Sequence, residues 1–181
     1  MERLHLSGAA GKVLIVLGSD SDLPVAQHCV KALEDFGVSY ELRVCSAHRS
    51  PRAAHELASS AASLGYKVVV AMAGSAAHLA GVFAASTTLP VIGVPIDSSA
   101  LGGVDALYAT VQMPGGIPVA CMAIGEAGAR NAGVLAVQIL ATAEASLTSK
   151  LTAHKERLAA EVAKKNEGLA AKLKSLESER K

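Results

Sequence analysis

Tryptophan is absent from the chain, and aromatic residues amount to only 3% of it. Proteins that hold single-stranded nucleic acid stack bases on aromatic platforms inside a basic groove. Here the platforms are missing, the net charge is +1, and no basic stripe runs through the first 140 residues. Nucleic acid is therefore not an expected partner. Cysteine is scarce too: Cys29, Cys45 and Cys121 are odd in number and far apart. They fit small buried apolar residues in a reducing compartment, not a disulfide framework. No CxxC pair or His/Cys cluster has metal-ligand spacing, so no metal is expected. Long apolar runs are also lacking. No stretch approaches the length of a membrane span, and the first dozen residues lack the apolar core of a secretory leader. A soluble, cytoplasmic protein without membrane partners is the expectation. Charged residues make up just 18% against 51% hydrophobic, which excludes disorder for the body of a 181-residue chain.

What is present is an alternation of short apolar runs and helical patterns. Residues 1–11 read as a flexible lead and residues 12–146 as one α/β domain. Strands are expected at Val13–Leu17, Glu41–Cys45, Lys67–Met72, Pro90–Pro95 and Ile117–Ile124. Between them, Pro24 suits the first turn of a helix reaching Phe36 and closed by Gly37. Ser50 and Pro51 suit the start of a helix ending near Gly65. Further helices are expected from about Ala76, within Asp97–Gln112, and from Asn131 to about Ser146. Continuous apolar strands alternating with helices indicate a parallel sheet covered on both faces. The expected architecture is a flavodoxin-like, three-layer, five-stranded α/β fold with its crevice at the strand carboxyl ends. Ala and Gly crowd residues 76–85 and 125–143. Tight packing within the chain and contact between subunits explain that richness equally well.

Residues 147–181 differ in kind. Leu147, Leu151, Leu158, Val162, Leu169, Leu173 and Leu176 recur at helical spacing among many Lys and Glu. This segment reads as a helical arm with an apolar face for a neighbouring subunit in its first half and a frayed end, bent at Gly168.

Three strand-end loops hold the chemistry. Gly18-Ser19-Asp20-Ser21-Asp22 lies between a strand and a helix start, where free N–H groups and the helix dipole attract an anion. It matches neither the P-loop nor GxGxxG. Two readings stand: ordinary turn residues with an Asp cap, or a sugar-monophosphate site with Ser19 near phosphate and Asp22 accepting from ribose hydroxyls. Ser46-Ala47-His48-Arg49-Ser50-Pro51 is more telling. A guanidinium fork and an imidazole at the end of a buried strand have little structural purpose without a ligand. His78 follows Gly74-Ser75, one turn into the expected helix; it is either a satisfied core histidine or a site residue. His5, His28, His55 and His154 lie in helix bodies or tails and carry no expected role.

With Leu89-Pro90-Val91-Ile92-Gly93-Val94-Pro95 and Val111-Gln112-Met113-Pro114-Gly115-Gly116-Ile117-Pro118-Val119, these loops resemble the N5-carboxyaminoimidazole ribonucleotide mutase family of purine biosynthesis. The likeness runs in unbroken order over about residues 12–140. It implies a homo-octamer with sites between subunits and a cofactor-free transfer of a carboxylate from the exocyclic nitrogen to carbon four of the imidazole. Carried over by residue, it implies that Ser19, Asp22 and Arg49 bind the ribonucleotide substrate, that His48 is the catalytic acid–base, and that His78 is a second active-site histidine. Ser46, Gly74 and Ser75 are expected against the substrate as well. The related carboxylase branch, acting on aminoimidazole ribonucleotide and free carbon dioxide, typically has Lys after the first histidine and lacks the second. Arg49 and His78 point to the mutase side. A non-catalytic nucleotide-binding module is the remaining alternative on this fold. Ser75, Ala80 and Ala106 depart from the family's usual Gly, Pro and Ser.

Overall fold

The computed structural model of the protein describes residues 12–179, so the expected lead over residues 1–11 lies outside the described residues. Two compact units divide the chain after Leu140.

The first unit is built on a five-stranded, all-parallel sheet in the order β2-β1-β3-β4-β5. Its strands are β1 (Val13–Leu17), β2 (Tyr40–Val44), β3 (Val68–Gly74), β4 (Val91–Ile96) and β5 (Ala120–Cys121). Every residue of β1 and β4 is buried. That is the pattern of a sheet covered on both faces, for which β-branched side chains are well suited. This order is the flavodoxin-like one expected from the sequence. On one face Leu14, Val16, Val69 and Ala71 pack with Leu57, Ala58 and Phe83 from α2 (Pro51–Ser60) and α3 (Leu79–Ser86). The alternate residues Val13, Ile15, Val70 and Met72 point to the opposite face and are equally inaccessible. Beyond them, α1 (Leu23–Phe36) and α5 (Gly125–Ala141) approach closely. A Cβ on Gly133 would lie 2.8 Å from the Ala32 methyl and 2.9 Å from the Cys29 carbonyl oxygen. Each large apolar side chain buried this way contributes on the order of 1.5–3 kcal/mol.

Register brings the strand ends level. Leu17 stands beside both Val44 and Met72, and Gly74 beside Ile96. The Gly18 N–H donates to the Met72 carbonyl at 2.9 Å and the Cys45 N–H to the Leu17 carbonyl at 2.8 Å, which fixes where each loop departs.

Several elements differ from the sequence expectation. β5 shrinks to Ala120–Cys121, bonded only to β4, because Pro114 and Pro118 supply no ladder donors to an edge strand. α2 stops at Ser60, and the turn to Gly65 closes with φ +95° at that glycine. α3 begins at Leu79, not near Ala76, because Ser75 takes a left-handed φ of +53° that a helix cannot contain. α5 starts at Gly125 instead of Asn131 and ends at Ala141. Gly128 permits that early start, since a Cβ there would sit 1.6 Å from the Ala123 carbonyl oxygen. α4 occupies Val104–Val111.

β2 also carries a buried carboxylate. Glu41 is 2% exposed, yet it is held by Arg43 (Nε and Nη2 both at 2.5 Å) and by the Tyr66 hydroxyl. A charge is tolerated in a strand interior when it is paired and hydrogen-bonded in this way.

The second unit contains α6 (Ala145–Glu179), an unbroken helix about 50 Å long. The helix continues through Gly168; one helical glycine costs only about 1 kcal/mol. Leu158, Val162, Leu169 and Leu173 lie on it at coiled-coil-like spacing, each more than 40% exposed.

Candidate active site

The loops after β1, β2, β3 and β4 enclose an open cleft of about 440 Å³ at the carboxyl edge of the sheet. Its walls include Ser19, Asp22, Ser46, His48, Arg49 and Gly74. Ser75 and His78 are outside those walls. Ser75 contributes its left-handed backbone, and His78 reaches the cleft through its contact with His48.

The β1 loop forms a single 3-10 turn over Asp20–Asp22 with Ser19 as its cap. The Ser19 N–H donates to Asp22 Oδ2 at 2.9 Å, while Ser19 Oγ accepts from the Ser21 N–H at 3.4 Å. This reciprocal capping box preorganises the loop. The capping bonds therefore fall on two residues that line the cleft. Burial raises the Asp22 carboxyl above its ordinary range, against the opposing pull of the Ser19 and Gly18 N–H groups and of the Arg49 charge.

The β2 loop is cross-braced by serines. Ser46 Oγ accepts from the Arg49 N–H at 3.1 Å, and Ser50 Oγ donates to the Ser46 carbonyl at 2.9 Å. Arg49 Nη2 donates to the Gly18 carbonyl at 3.2 Å, tying this loop to the one after β1. A guanidinium fork of this kind is chemically suited to a carboxylate or phosphate.

His48 and His78 meet. His48 Nε2 and His78 Nδ1 are 2.9 Å apart, with the rings edge to face at 87° and their centroids 5.0 Å apart. In this contact one ring nitrogen donates and the other accepts. His78 is the cap residue of α3, reached through two tight turns: the Ala77 N–H bonds the Ser75 carbonyl and the His78 N–H bonds the Ala76 carbonyl. The left-handed Ser75, costing roughly 1–2 kcal/mol, is what turns the chain back in this way. His78 thus stands at the helix start, not one turn inside it.

Gly74 has a specific reason to be glycine. A Cβ on it would fall 1.8 Å from Ser98 Oγ and 3.0 Å from the Ile96 carbonyl oxygen. Ser98, in the loop after β4, is a cleft residue that sequence reasoning missed. The available signal was its position: Asp97-Ser98-Ser99 follows a fourth parallel strand and had to emerge at the same edge. The other histidines among the described residues lie elsewhere: His28 faces Glu126 at 3.4 Å, His55 faces Ser86 at 3.2 Å, and His154 faces Arg157 at 2.8 Å, while His5 lies outside the described residues. Among the described residues no cluster of three His, Cys, Asp or Glu could hold a metal ion, and no helix is long and apolar enough to cross a membrane.

Known proteins share this arrangement of sheet and loops. Residues 12–161 match the family described as AIR carboxylase. A Vibrio parahaemolyticus protein named N5-carboxyaminoimidazole ribonucleotide mutase is 54% identical over 142 residues, covering 78% of this chain and 88% of that protein. Proteins of the same name from Pyrococcus abyssi and Bacillus subtilis are 53% identical over 145 residues and 51% over 142, covering 80% and 78% of this chain and 82% and 88% of their own. The crystal structure of Treponema denticola PurE superposes with a TM-score of 0.77 at 25% identity, covering 84% of this chain and 94% of that one. A match across most of the chain, taking in every strand and all four cleft loops, means that this protein belongs to the AIR carboxylase family.

Proposed function

We propose that this protein is an N5-carboxyaminoimidazole ribonucleotide mutase, an isomerase of de novo purine (IMP) biosynthesis. It moves a carboxylate from the exocyclic nitrogen of its substrate to carbon four, giving 4-carboxy-5-aminoimidazole ribonucleotide. The observation that carries this reading is the His48–His78 pair at the rim of a cleft that also holds Ser19, Asp22 and Arg49. The names of relatives about half identical to the chain support it. A 440 Å³ cleft is of the size that takes a small ligand such as a nucleoside monophosphate.

In this reading Arg49 and Ser19 hold the phosphate, and Asp22 accepts from the ribose hydroxyls. Ser46 braces the loop that presents His48. Protonated His48 gives its proton to the carbamate nitrogen; the nitrogen–carboxyl bond breaks and carbon dioxide is released into the cleft. Carbon four then attacks the carbon dioxide, forming the new carbon–carbon bond. Neutral His48 removes the proton from carbon four, restoring the aromatic ring and its own charge. No net proton is consumed, so one imidazole serves as acid and then as base. The hydrogen bond shared with His78 orients that imidazole. Backbone around Gly74 and Ser75 cradles the migrating carboxylate by fixed dipoles.

The enzyme works as a cytoplasmic homo-octamer, supported by the exposed apolar stripe on α6. The family description, AIR carboxylase, favours one rival reaction, carboxylation of aminoimidazole ribonucleotide by free carbon dioxide. Purified protein supplied with each nucleotide, with and without bicarbonate, separates them. The mutase converts the carbamate without added bicarbonate. Turnover only of the uncarboxylated nucleotide with bicarbonate overturns the assignment in favour of the carboxylase, and binding without any turnover reduces the protein to a nucleotide-binding module.

A further inference from the structure

The β4 loop reaches the cleft with a hydroxyl that no element of the proposed mechanism uses. Ser98 Oγ occupies the space left by the missing side chain of Gly74; a Cβ there would come within 1.8 Å of it. The main chain of Ser98 is held, its N–H donating to the Ile96 carbonyl at 3.1 Å. Its hydroxyl has no hydrogen-bond partner among the described residues, and the residue lies exposed in the cleft wall. The neighbouring Ser99 is different: its hydroxyl is committed to Asp105 at 3.0 Å. Of the two adjacent serines, only Ser98 has a donor to offer a ligand.

Sheet order locates that donor along the ligand. β4 is separated from β1 by β3, so the Ser98 loop and the Ser19–Asp22 loop stand two strand spacings apart, roughly 10 Å. The carboxylate of Asp22 and the guanidinium of Arg49 belong to the other end, where Arg49 bonds the Gly18 carbonyl. A nucleotide with its phosphate and ribose at that end directs its base toward Gly74 and Ser98. A neutral hydroxyl with a free donor, set beside bare glycine backbone, suits a carboxylate on that base.

We infer that Ser98 is a further substrate-contacting residue, donating a hydrogen bond to the carboxylate carried by the imidazole and so distinguishing carboxylated from uncarboxylated ribonucleotide. This rests on the mutase reading given above. The test is calorimetric titration of the wild-type protein and of Ser98→Ala with two ligands, 4-carboxy-5-aminoimidazole ribonucleotide and 5-aminoimidazole ribonucleotide. One lost hydrogen bond to a charged group corresponds to about tenfold weaker binding. Ser98→Ala is expected to weaken the carboxylated ligand by about tenfold while changing the uncarboxylated one less than twofold, and to lower kcat/KM by a comparable factor. Equal weakening of both ligands, or no change in either, overturns the role of Ser98 while leaving the function standing. Failure of the wild-type protein to bind either nucleotide overturns the function itself and this inference with it.

Discussion

The α/β body and the C-terminal helix use the same apolar alphabet to opposite effect. In the body, all of β1 and β4 disappear from solvent, and even a carboxylate, Glu41, is buried with its partners. On α6, Leu158, Val162, Leu169 and Leu173 keep a regular spacing and yet stay 41–66% exposed. Periodicity in a sequence therefore records that a face is meant to be covered, without recording by what. In the body the cover is another part of the same unit; on α6 the face stays open. The active-site loops belong wholly to the self-sufficient region, and each is braced by its own serine, capping or turn hydrogen bonds.

Substitutions sharpen this contrast. Phe83→Ala empties a fully buried position between α3 and the sheet, and should lower unfolding free energy by about 3–5 kcal/mol in denaturant titration. A loss under about 1 kcal/mol there would mean that the body is loosely packed. Arg43→Ala removes the cationic partner of the buried Glu41 carboxylate, and about 3 kcal/mol of destabilisation is expected in denaturant titration; a loss under about 1 kcal/mol would contradict it.

Asp22→Asn keeps the capping geometry but removes a charge. Because burial raises the Asp22 carboxyl, its ionised form weakens the fold at neutral pH, and that penalty fades as pH falls through the raised value toward the ordinary 3.8. The variant should therefore be slightly more stable than wild type at pH 7, by well under 1 kcal/mol given solvent screening, and equal to it near pH 4. Nucleotide affinity should fall at the same time. The smallest effect is expected on α6, where Leu169→Ala should leave the stability of the body within about 0.5 kcal/mol. Paired Leu158→Lys and Val162→Lys changes should instead lower the particle mass seen by light scattering, and an unchanged mass would show that the stripe is not what joins subunits.

Much of this was legible beforehand because it depends on local chemistry. Gly37 at φ +69° after α1, Pro24 and Pro51 at helix starts, and the apolar runs of β1, β3 and β4 all follow from turn, cap and pleat rules. The level strand ends that gather the loops follow from a parallel sheet. What escaped depends on pairing and conformation that sequence does not print. Glu41 looked like the start of an ordinary strand until Arg43 and Tyr66 closed on it. The left-handed Ser75 displaced the start of α3 and changed the setting of His78, since nothing about a serine announces a positive φ. Ser98 escaped because its role depends on the hollow above Gly74, a tertiary feature of two strands far apart in the chain.

The central claim is that His48 carries the proton for a migrating carboxylate. His48→Asn keeps a polar side chain of similar reach but cannot exchange protons, so it isolates that step. Turnover of N5-carboxyaminoimidazole ribonucleotide by this variant, followed by proton NMR alongside calorimetric binding of the nucleotide, is predicted to fall by at least about 10²-fold while affinity stays within a few-fold of wild type. Near-normal turnover in His48→Asn, with binding intact, would contradict it.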